Sequence, residues 1–176
     1  MKFYFKLLIL STVLCVFNPL VAISLDISSE AFKSGDMIPR IHACKNKGGQ
    51  DKSIPVKITN VPASAKSLVL IIDDPDARPV AGKTWVHWNL SDIPKGTQNI
   101  PSSFNGSVGL GVNGTNSSNR SGYQGMCPPN GQHKYYVAVY AVSKKVGKLH
   151  QMTREKFEKQ FGDIIINKAE FFGRFF

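Results

Sequence analysis

Three carboxylates and a histidine follow the most apolar segment of this sequence. Residues 73–88, DDPDARPVAGKTWVHW, supply Asp73, Asp74 and Asp76 and then His87, which stands between two tryptophans. A residue that precedes proline is held in an extended conformation, and this applies to the second of the three acids. We therefore expect Asp74 and Asp76 to lie near one another where a strand ends.

A second group of polar side chains comes later in the chain. Residues 125–136, GMCPPNGQHKYY, bring His133 and Tyr135 to the start of another apolar segment. A carboxylate that accepts one ring N–H orients an imidazole and favours its charged form, so that the opposite ring nitrogen can donate to an anion. Tyr135 adds a hydroxyl donor, and Trp85 offers a π-face to an ammonium group. These acidic, imidazole, phenol and aromatic groups together favour binding of a small zwitterionic ligand. No group is committed to bond breaking.

Each of these pieces also has a simpler structural interpretation. An Asp-Pro-Asp sequence after a strand is usually a turn, His87 can be a satisfied core histidine, and His133 can decorate a strand edge. The two tryptophans can belong to the core, and Trp88 faces away from His87 if the strand alternates. His42 and His150 have no polar companions, so both are interpreted as surface residues.

Apolar runs and period-two alternation predict a mainly β fold. The strand candidates cover residues 23–27, 54–58, 67–72, 84–90 and 135–142. Between them, the Gly/Asn/Ser-rich segment 105–125 is too long and too polar for a simple connector, which predicts a functional or disordered loop. No internal repeat is visible.

One short helix is predicted near the C-terminus, over residues 154–161. Thr153 is placed to cap it, Met152 and Phe157 are spaced as a hydrophobic staple, and Gly162 stands where the helix should stop. The aromatic tail that follows supplies further apolar cover.

The N-terminus has the pattern of a secretory signal peptide. Two lysines precede an apolar segment that is too short and too interrupted for a transmembrane helix. Cleavage after Ala22 would remove residues 1–22 and leave one domain, residues 23–176, in the periplasm or outside the cell. Cys15 would allow a lipoprotein anchor, but the bulky Leu14 before it disfavours that alternative.

Two cysteines, Cys44 and Cys127, remain after the signal peptide. In an oxidising compartment an even number favours a disulfide, which would be credited with roughly 4–5 kcal/mol for closing so long a loop. The alternative is a pair of unrelated buried thiols. Neither cysteine has the spacing of a zinc site.

The chain is basic, with a formal net charge of +10. Its lysines and arginines are scattered along the sequence and are not interleaved with aromatic residues, so we expect no nucleic-acid partner. A solvated basic surface instead favours anionic partners, including contact with a membrane surface.

Three blocks of the sequence resemble the signature blocks of the phosphatidylethanolamine-binding protein family. They are DPDARP at 74–79, WVHW at 85–88 and GMCPPNGQHKYY at 125–136, in the order found in the bacterial, exported, Raf-kinase-inhibitor-like branch. The C-terminal residues 154–175 resemble that branch's closing helix and strand. Asp73 and Arg78 depart from the family's pattern and leave the selectivity of its site open.

The resemblance implies a fold and a site. The fold is a large central antiparallel sheet flanked by a smaller sheet and a few short helices. A small pocket at one end of the sheet takes a phosphate-like anion or a phosphoethanolamine headgroup, without a cofactor. The residues that the resemblance places in it are Asp74, Asp76, Trp85, His87, Pro128, His133 and Tyr135.

Two other functions remain open. The family's names suggest a protein-interaction module that inhibits a kinase or a protease. A metal-dependent hydrolase is the weaker alternative, since no dedicated general base stands out. The side chains that could ligate a divalent ion are Asp74, Asp76, His87 and His133.

Overall fold

The computed structural model describes residues 24–176. The predicted signal peptide, residues 1–22, lies outside the described residues, so cleavage and export stay predictions. The strands within the described range are β1 (Asp26–Ser28), β2 (Val56–Thr59), β3 (Ser67–Asp74), β4 (Trp85–Pro94), β5 (Asn99–Ile100), β6 (Val112–Asn113), β7 (His133–Val142) and β8 (Ile165–Phe175). The α-helices there are α1 (Arg78–Ala81) and α2 (Arg154–Phe161), and 3₁₀ turns cover Arg40–His42, Lys45–Lys47, Pro75–Ala77 and Gly162–Ile164.

The strands form two antiparallel sheets. The larger sheet has the order β6-β4-β3-β7-β8, and the smaller one has the order β1-β2-β5. This confirms the predicted mainly β fold with a large central sheet, a smaller sheet and few short helices. No helix in residues 24–176 has the length and apolar character needed to cross a bilayer.

The central strand β3 is apolar on both faces because both faces are covered. All eight of its residues are buried. Leu70 and Ile72 belong to the larger core between the two sheets, whereas Val69 and Ile71 pack in a smaller core with Phe157 of α2. The strand continues two residues past its predicted end, so that its last two residues are carboxylates.

A β-bulge in β4 changes the direction of the aromatic side chains. Ile72 of β3 is opposite Trp88, and Asp73 is opposite Val86, which leaves His87 as an extra residue in β4. Both residues of a bulge of this kind point to the same side of the sheet. The expectation that Trp88 faces away from His87 is therefore wrong: Trp88 enters the larger core, and His87 packs against Tyr135 of that same core.

Helix α2 matches its predicted bounds. The Thr153 hydroxyl accepts a hydrogen bond from the backbone N–H of Lys156 at 3.2 Å. Phe157 is fully buried, and Met152 packs against the same cluster, as the staple requires. Gly162 follows the last helical residue, but with φ −54° it leads into a 3₁₀ turn rather than into a left-handed cap.

The C-terminal tail is more than apolar cover, because it forms β8 and pairs with β7 along almost its whole length. The last part of its outer edge is covered by the chain segment at residues 35–38. Gly35 donates to the carbonyl of Phe172 at 2.7 Å, and Ile38 donates to the carbonyl of Arg174 at 2.8 Å.

Lysines that are far apart in the sequence converge at one end of the larger sheet. Ser67 at the start of β3 is opposite Pro94 of β4 and Val142 of β7. The loops next to these three residues carry exposed lysines, a grouping that the positions of the lysines along the sequence did not reveal. We call this the lysine end, formed by Lys66, Lys95, Lys144, Lys145 and Lys148.

Candidate functional site

A cavity of about 260 Å³ opens at the other end of β3, where the strand ends in Asp74. Six of the seven residues predicted for the site line it. They come from β3, β4, β7 and the loop before β7, and they are Asp74, Trp85, His87, Pro128, His133 and Tyr135. Segments that are distant in the sequence therefore share one cavity.

Asp74 and His133 form a buried pair at the cavity. The Oδ2 atom of Asp74 accepts a hydrogen bond from Nδ1 of His133 at 2.7 Å, and their side chains are 4% and 8% exposed. The Oδ1 atom of Asp74 accepts the backbone N–H of Ala77 at 3.1 Å and caps the 3₁₀ turn after β3. Burial raises the pKa of Asp74, and the hydrogen bond from His133 opposes that shift. Both oxygens of Asp74 therefore accept hydrogen bonds from the protein. The one from Nδ1 orients the imidazole of His133, as expected.

His87 is held by the backbone rather than by a carboxylate. Its Nδ1 atom lies 2.9 Å from the carbonyl oxygen of Gln124, and the backbone N–H of Gln124 donates to the carbonyl of His87. A carbonyl only accepts, so Nδ1 carries the hydrogen. Burial lowers the pKa of His87 to about 4. The expectation that both histidines are charged is therefore wrong for His87, which is neutral at pH 7.

Tyr135 places a phenol in the wall of the cavity. The residue is completely buried, and its hydroxyl has no hydrogen-bond partner in the described part of the chain. Its ring packs edge-on against His87, with centroids 5.2 Å apart, and stacks on His133 at 6.3 Å. Burial raises the pKa of Tyr135, so the hydroxyl keeps its proton. A buried hydroxyl without a partner costs about 1–3 kcal/mol, which marks a place where a ligand can bind.

Asp76 lies outside the cavity, in contrast to its predicted position. It is exposed, and its Oδ2 atom accepts the backbone N–H of Lys134 at 2.8 Å. It borders a shallow groove next to the cavity, which it shares with His133. The turn that begins at Pro75 rotates this carboxylate away from its neighbour two residues earlier. Asp76 is therefore a residue of the rim.

One side of the cavity is apolar. Val80 and Ala81 of α1 line it together with Trp85 and Pro129, and Val80 is 56% exposed. Sequence reasoning missed the two α1 residues, although their place between two blocks of site residues was a usable signal. Gln124 was also missed, because it acts through its backbone and no side-chain pattern identifies it.

The predicted disulfide is present and fixes the wall of the cavity. Cys44 and Cys127 are bonded, with their Cα atoms 5.5 Å apart, and Cys127 lines the cavity. The backbone N–H of Cys44 also donates to the carbonyl of Met126 at 3.0 Å. Gly125 between these contacts donates to Oδ1 of Asp51 at 3.0 Å, and a side chain at Gly125 would collide with the backbone around Cys44.

The long segment before this wall is ordered by hydrogen bonds and contributes little to the cavity itself. Asn113 in β6 accepts a hydrogen bond from the indole of Trp88 at 2.8 Å and donates to the carbonyl of Gly106 at 3.0 Å. Gln124 is the residue of segment 105–125 that lines the cavity. The segment therefore acts mainly as a cover for the larger core.

His42 was predicted at the surface, and this is wrong. It is 3% exposed, its Nδ1 atom donates to the carbonyl of Lys52 at 2.9 Å, and its own carbonyl accepts the hydroxyl of Tyr123 at 2.6 Å. Burial lowers the pKa of His42. His150 is exposed as predicted and contacts the hydroxyl of Thr115 at 3.3 Å.

Residues 24–176 contain no group of three or more histidine, cysteine, aspartate or glutamate side chains placed to hold a metal ion. The acids and imidazoles that the metal-dependent alternative requires are instead bonded to each other and to the backbone.

The two antiparallel sheets, and the cavity at the end of the larger one that brings together an acid, two imidazoles and a phenol, define a class of β-sheet domain. The sequence pattern of the family described as phosphatidylethanolamine-binding protein matches residues 28–176. The chain belongs to the phosphatidylethanolamine-binding protein family.

Relatives and solved structures agree with this assignment. A UPF0098 protein of Chlamydia trachomatis is 31% identical over 86% of this chain and 98% of its own length, and one of Aquifex aeolicus is 34% identical over 85% and 86%. The crystal structure of a putative phosphatidylethanolamine-binding protein homolog from Chlamydia trachomatis has a TM-score of 0.75 and 30% identity, covering 88% of this chain and 99% of that one. Escherichia coli YbcL shares the fold, with a TM-score of 0.75 at 23% identity over 86% and 98% of the two chains.

Proposed function

We propose that this protein, after export, binds a phosphate-type anion in the cavity, either free or as the headgroup of a phospholipid. The observation that carries the proposal is the buried hydroxyl of Tyr135, which has no partner in residues 24–176 and whose ring packs against His87 and His133. A phosphate oxygen would accept this hydrogen bond and remove the cost of the unpaired group. The family's name, taken from phosphatidylethanolamine, supports the same class of ligand.

The polar groups around the cavity suit binding of an anion. His133 is oriented by Asp74, and when protonated it donates to the ligand from its Nε2 atom. Trp85 and the exposed carboxylate of Asp76 at the rim would receive the ammonium group of phosphoethanolamine. The volume of about 260 Å³ is suited to a headgroup, and acyl chains would lie along the exposed side of Val80.

We infer binding without catalysis, because the cavity lining within residues 24–176 includes no serine, threonine or free thiol that could serve as a nucleophile. Both oxygens of Asp74 accept hydrogen bonds from the protein, and Nδ1 of His87 is bonded to a backbone carbonyl. A general base needs a free lone pair within reach of an attacking group together with a positioned nucleophile. The cavity wall does not offer that combination.

The test is a calorimetric or NMR titration of the purified protein with inorganic phosphate and with phosphoethanolamine. We expect weak binding by the wild type and at least a roughly ten-fold loss in Asp74→Ala and in His87→Ala. His150→Ala is the matched control, because this exposed histidine does not line the cavity, and it should bind like the wild type. Equal affinity in all four proteins would refute the assigned site.

A protein-interaction role is the second candidate, and the exposed helix α1 at the cavity mouth favours it. Val80 presents more than half of its surface to solvent beside the site. A partner captured through this helix would be lost in Val80→Glu and retained in His87→Ala. Retention in both variants would argue against an interaction at this mouth.

A further inference from the structure

The hydrogen bond to His87 fixes which of its nitrogens faces a ligand. Nδ1 is committed to the carbonyl of Gln124 at 2.9 Å, and the ring forms part of the cavity wall. Nε2 makes no hydrogen bond to any residue from 24 to 176. In a neutral imidazole whose Nδ1 carries the hydrogen, Nε2 has a lone pair and no proton. The cavity therefore presents an acceptor at this position, beside the donor of Tyr135.

The neighbouring groups leave this acceptor free. The titratable groups that share the cavity with His87 are Asp74 from β3 and His133 and Tyr135 from β7, while Asp76 lies outside it at the rim. The two carboxylates have no hydrogen to donate when ionised, and Nδ1 of His133 is bonded to Asp74. Tyr135 has a single hydrogen, which a bare phosphate oxygen would receive. No other side chain of residues 24–176 donates to Nε2 either, so a ligand that pairs with this nitrogen must bring its own hydrogen.

We propose that the cavity selects anions that carry a proton on the phosphate group, namely hydrogen phosphate and singly protonated phosphate monoesters, over sulfate and phosphate diesters. Of the two sources of phosphate named in the proposed function, this favours free phosphate and monoesters over an intact phospholipid, whose headgroup is a diester. In the bound state the P–O–H group donates to Nε2 of His87, and an unprotonated oxygen of the same group accepts from Tyr135. An anion without that proton sets a bare oxygen against the lone pair of Nε2 and loses one hydrogen bond. This selectivity rests on the proposed function of the cavity.

The experiment is a titration of the wild-type protein with four anions, in two pairs matched in charge. A phosphate monoester loses its last proton with a pKa of about 6. At about pH 5.5 much of methyl phosphate carries one proton and one negative charge, like dimethyl phosphate, which lacks the proton. At about pH 8 inorganic phosphate is a dianion with one proton, and sulfate is a dianion without one. Neither methyl ester has an ammonium group that could replace the phosphate proton as donor.

We expect the proton-bearing member of each pair to bind about ten-fold more tightly, as one hydrogen bond to a charged ligand implies. The advantage of methyl phosphate over dimethyl phosphate should disappear by about pH 8. Dimethyl phosphate and sulfate do not change protonation in this range, so their affinities report the protein's own titration.

A variant at His87 tests whether this residue causes the preference for anions that carry a proton. His87→Gln replaces the imidazole by an amide that can both donate and accept, so the preference within each pair should fall to within about three-fold. His150→Gln is the matched control and should keep the full preference. In the wild type, the ¹⁵N resonance of Nε2 of His87 should shift on binding of phosphate while Nδ1 remains protonated.

The outcomes separate this inference from the proposed function. If all four anions bind with equal affinity, the selectivity is overturned and the anion site stands. Tighter binding of sulfate or dimethyl phosphate also overturns it. If none of the four anions binds, the proposed function fails, and the selectivity fails with it.

Discussion

Asp73 and Asp74 are consecutive residues of β3 whose carboxylates point to opposite faces of the sheet. Asp73 accepts hydrogen bonds from Nε and the backbone N–H of Arg154, both at 2.8 Å, at the start of α2. Asp74 accepts from His133 at 2.7 Å on the cavity side. The strand alternation thus assigns one acid to the anchoring of a helix and the next acid to the site.

This division predicts different effects for the same substitution at the two positions. Asp74→Asn should lower anion affinity about ten-fold, because it weakens the orientation of His133, and should cost about 1 kcal/mol of stability or less, since burial already favours the neutral form. Asp73→Asn should cost about 3 kcal/mol, because Arg154 loses its buried partner, while affinity is unchanged. Urea unfolding and phosphate titration of both variants measure this, and a shared loss of affinity contradicts it.

Removal of the Tyr135 hydroxyl should harm binding without harming folding. Tyr135→Phe deletes a buried polar atom that is unpaired in residues 24–176, so the free energy of unfolding should stay the same or rise by about 1 kcal/mol. Phosphate affinity should fall about ten-fold. Tyr140→Phe is the matched control: its hydroxyl donates to Glu158 at 2.8 Å on the other face, so it should lose about 1 kcal/mol of stability and keep its affinity. Destabilisation of Tyr135→Phe would show that its hydroxyl is paired.

The buried neutral state of His87 should make the protein less stable in acid. Its pKa is about 4 in the folded chain and about 6.5 when unfolded, so the unfolded chain binds more protons between these values. Stability from this residue is complete above about pH 6.5 and is lost as the pH falls toward 4, by on the order of 3 kcal/mol. The check is urea unfolding of the wild type and of His87→Gln, measured across this range.

The difference between the two proteins isolates His87, because His42, whose pKa burial also lowers, titrates in both. The variant should lose less stability on acidification than the wild type does. Parallel stability curves would mean that His87 is accessible to protons in the folded state.

The disulfide should stabilise the whole fold and the cavity wall together. It closes a loop between residues 83 positions apart, for which the loop-entropy relation gives about 4.5 kcal/mol as an upper figure. The double variant Cys44→Ala, Cys127→Ala should therefore lose about 2–5 kcal/mol in urea unfolding. Because Cys127 and Pro128 line the cavity, we also expect weaker phosphate binding at temperatures where the variant is folded. A loss below about 1 kcal/mol would contradict the prediction.

Local sequence signals predicted the elements whose causes are local. The bounds of α2 follow from a cap at Thr153 and a staple between Met152 and Phe157, which act within a few residues. The apolar run of β3 identified a strand covered on both faces, and only its length was underestimated.

The sequence-based predictions failed where contacts between distant segments determine the position of a residue. The bulge at His87 depends on the pairing of β4 with β3, and no residue type in β4 predicts it. The burial of His42 depends on the carbonyl of Lys52 and the hydroxyl of Tyr123, which the chain brings there only in the folded state. The outward position of Asp76 likewise depends on Lys134 of β7.

The separation of the lysine end from the cavity has a consequence for orientation. The two features lie at opposite ends of β3, whose eight residues span about 25 Å. If the protein adsorbed to a negatively charged bilayer through the lysine end, the mouth of the cavity would face the aqueous phase. In that orientation the cavity would be accessible to dissolved phosphate compounds. The protein would have to detach or rotate before the cavity could reach the lipids of the bilayer.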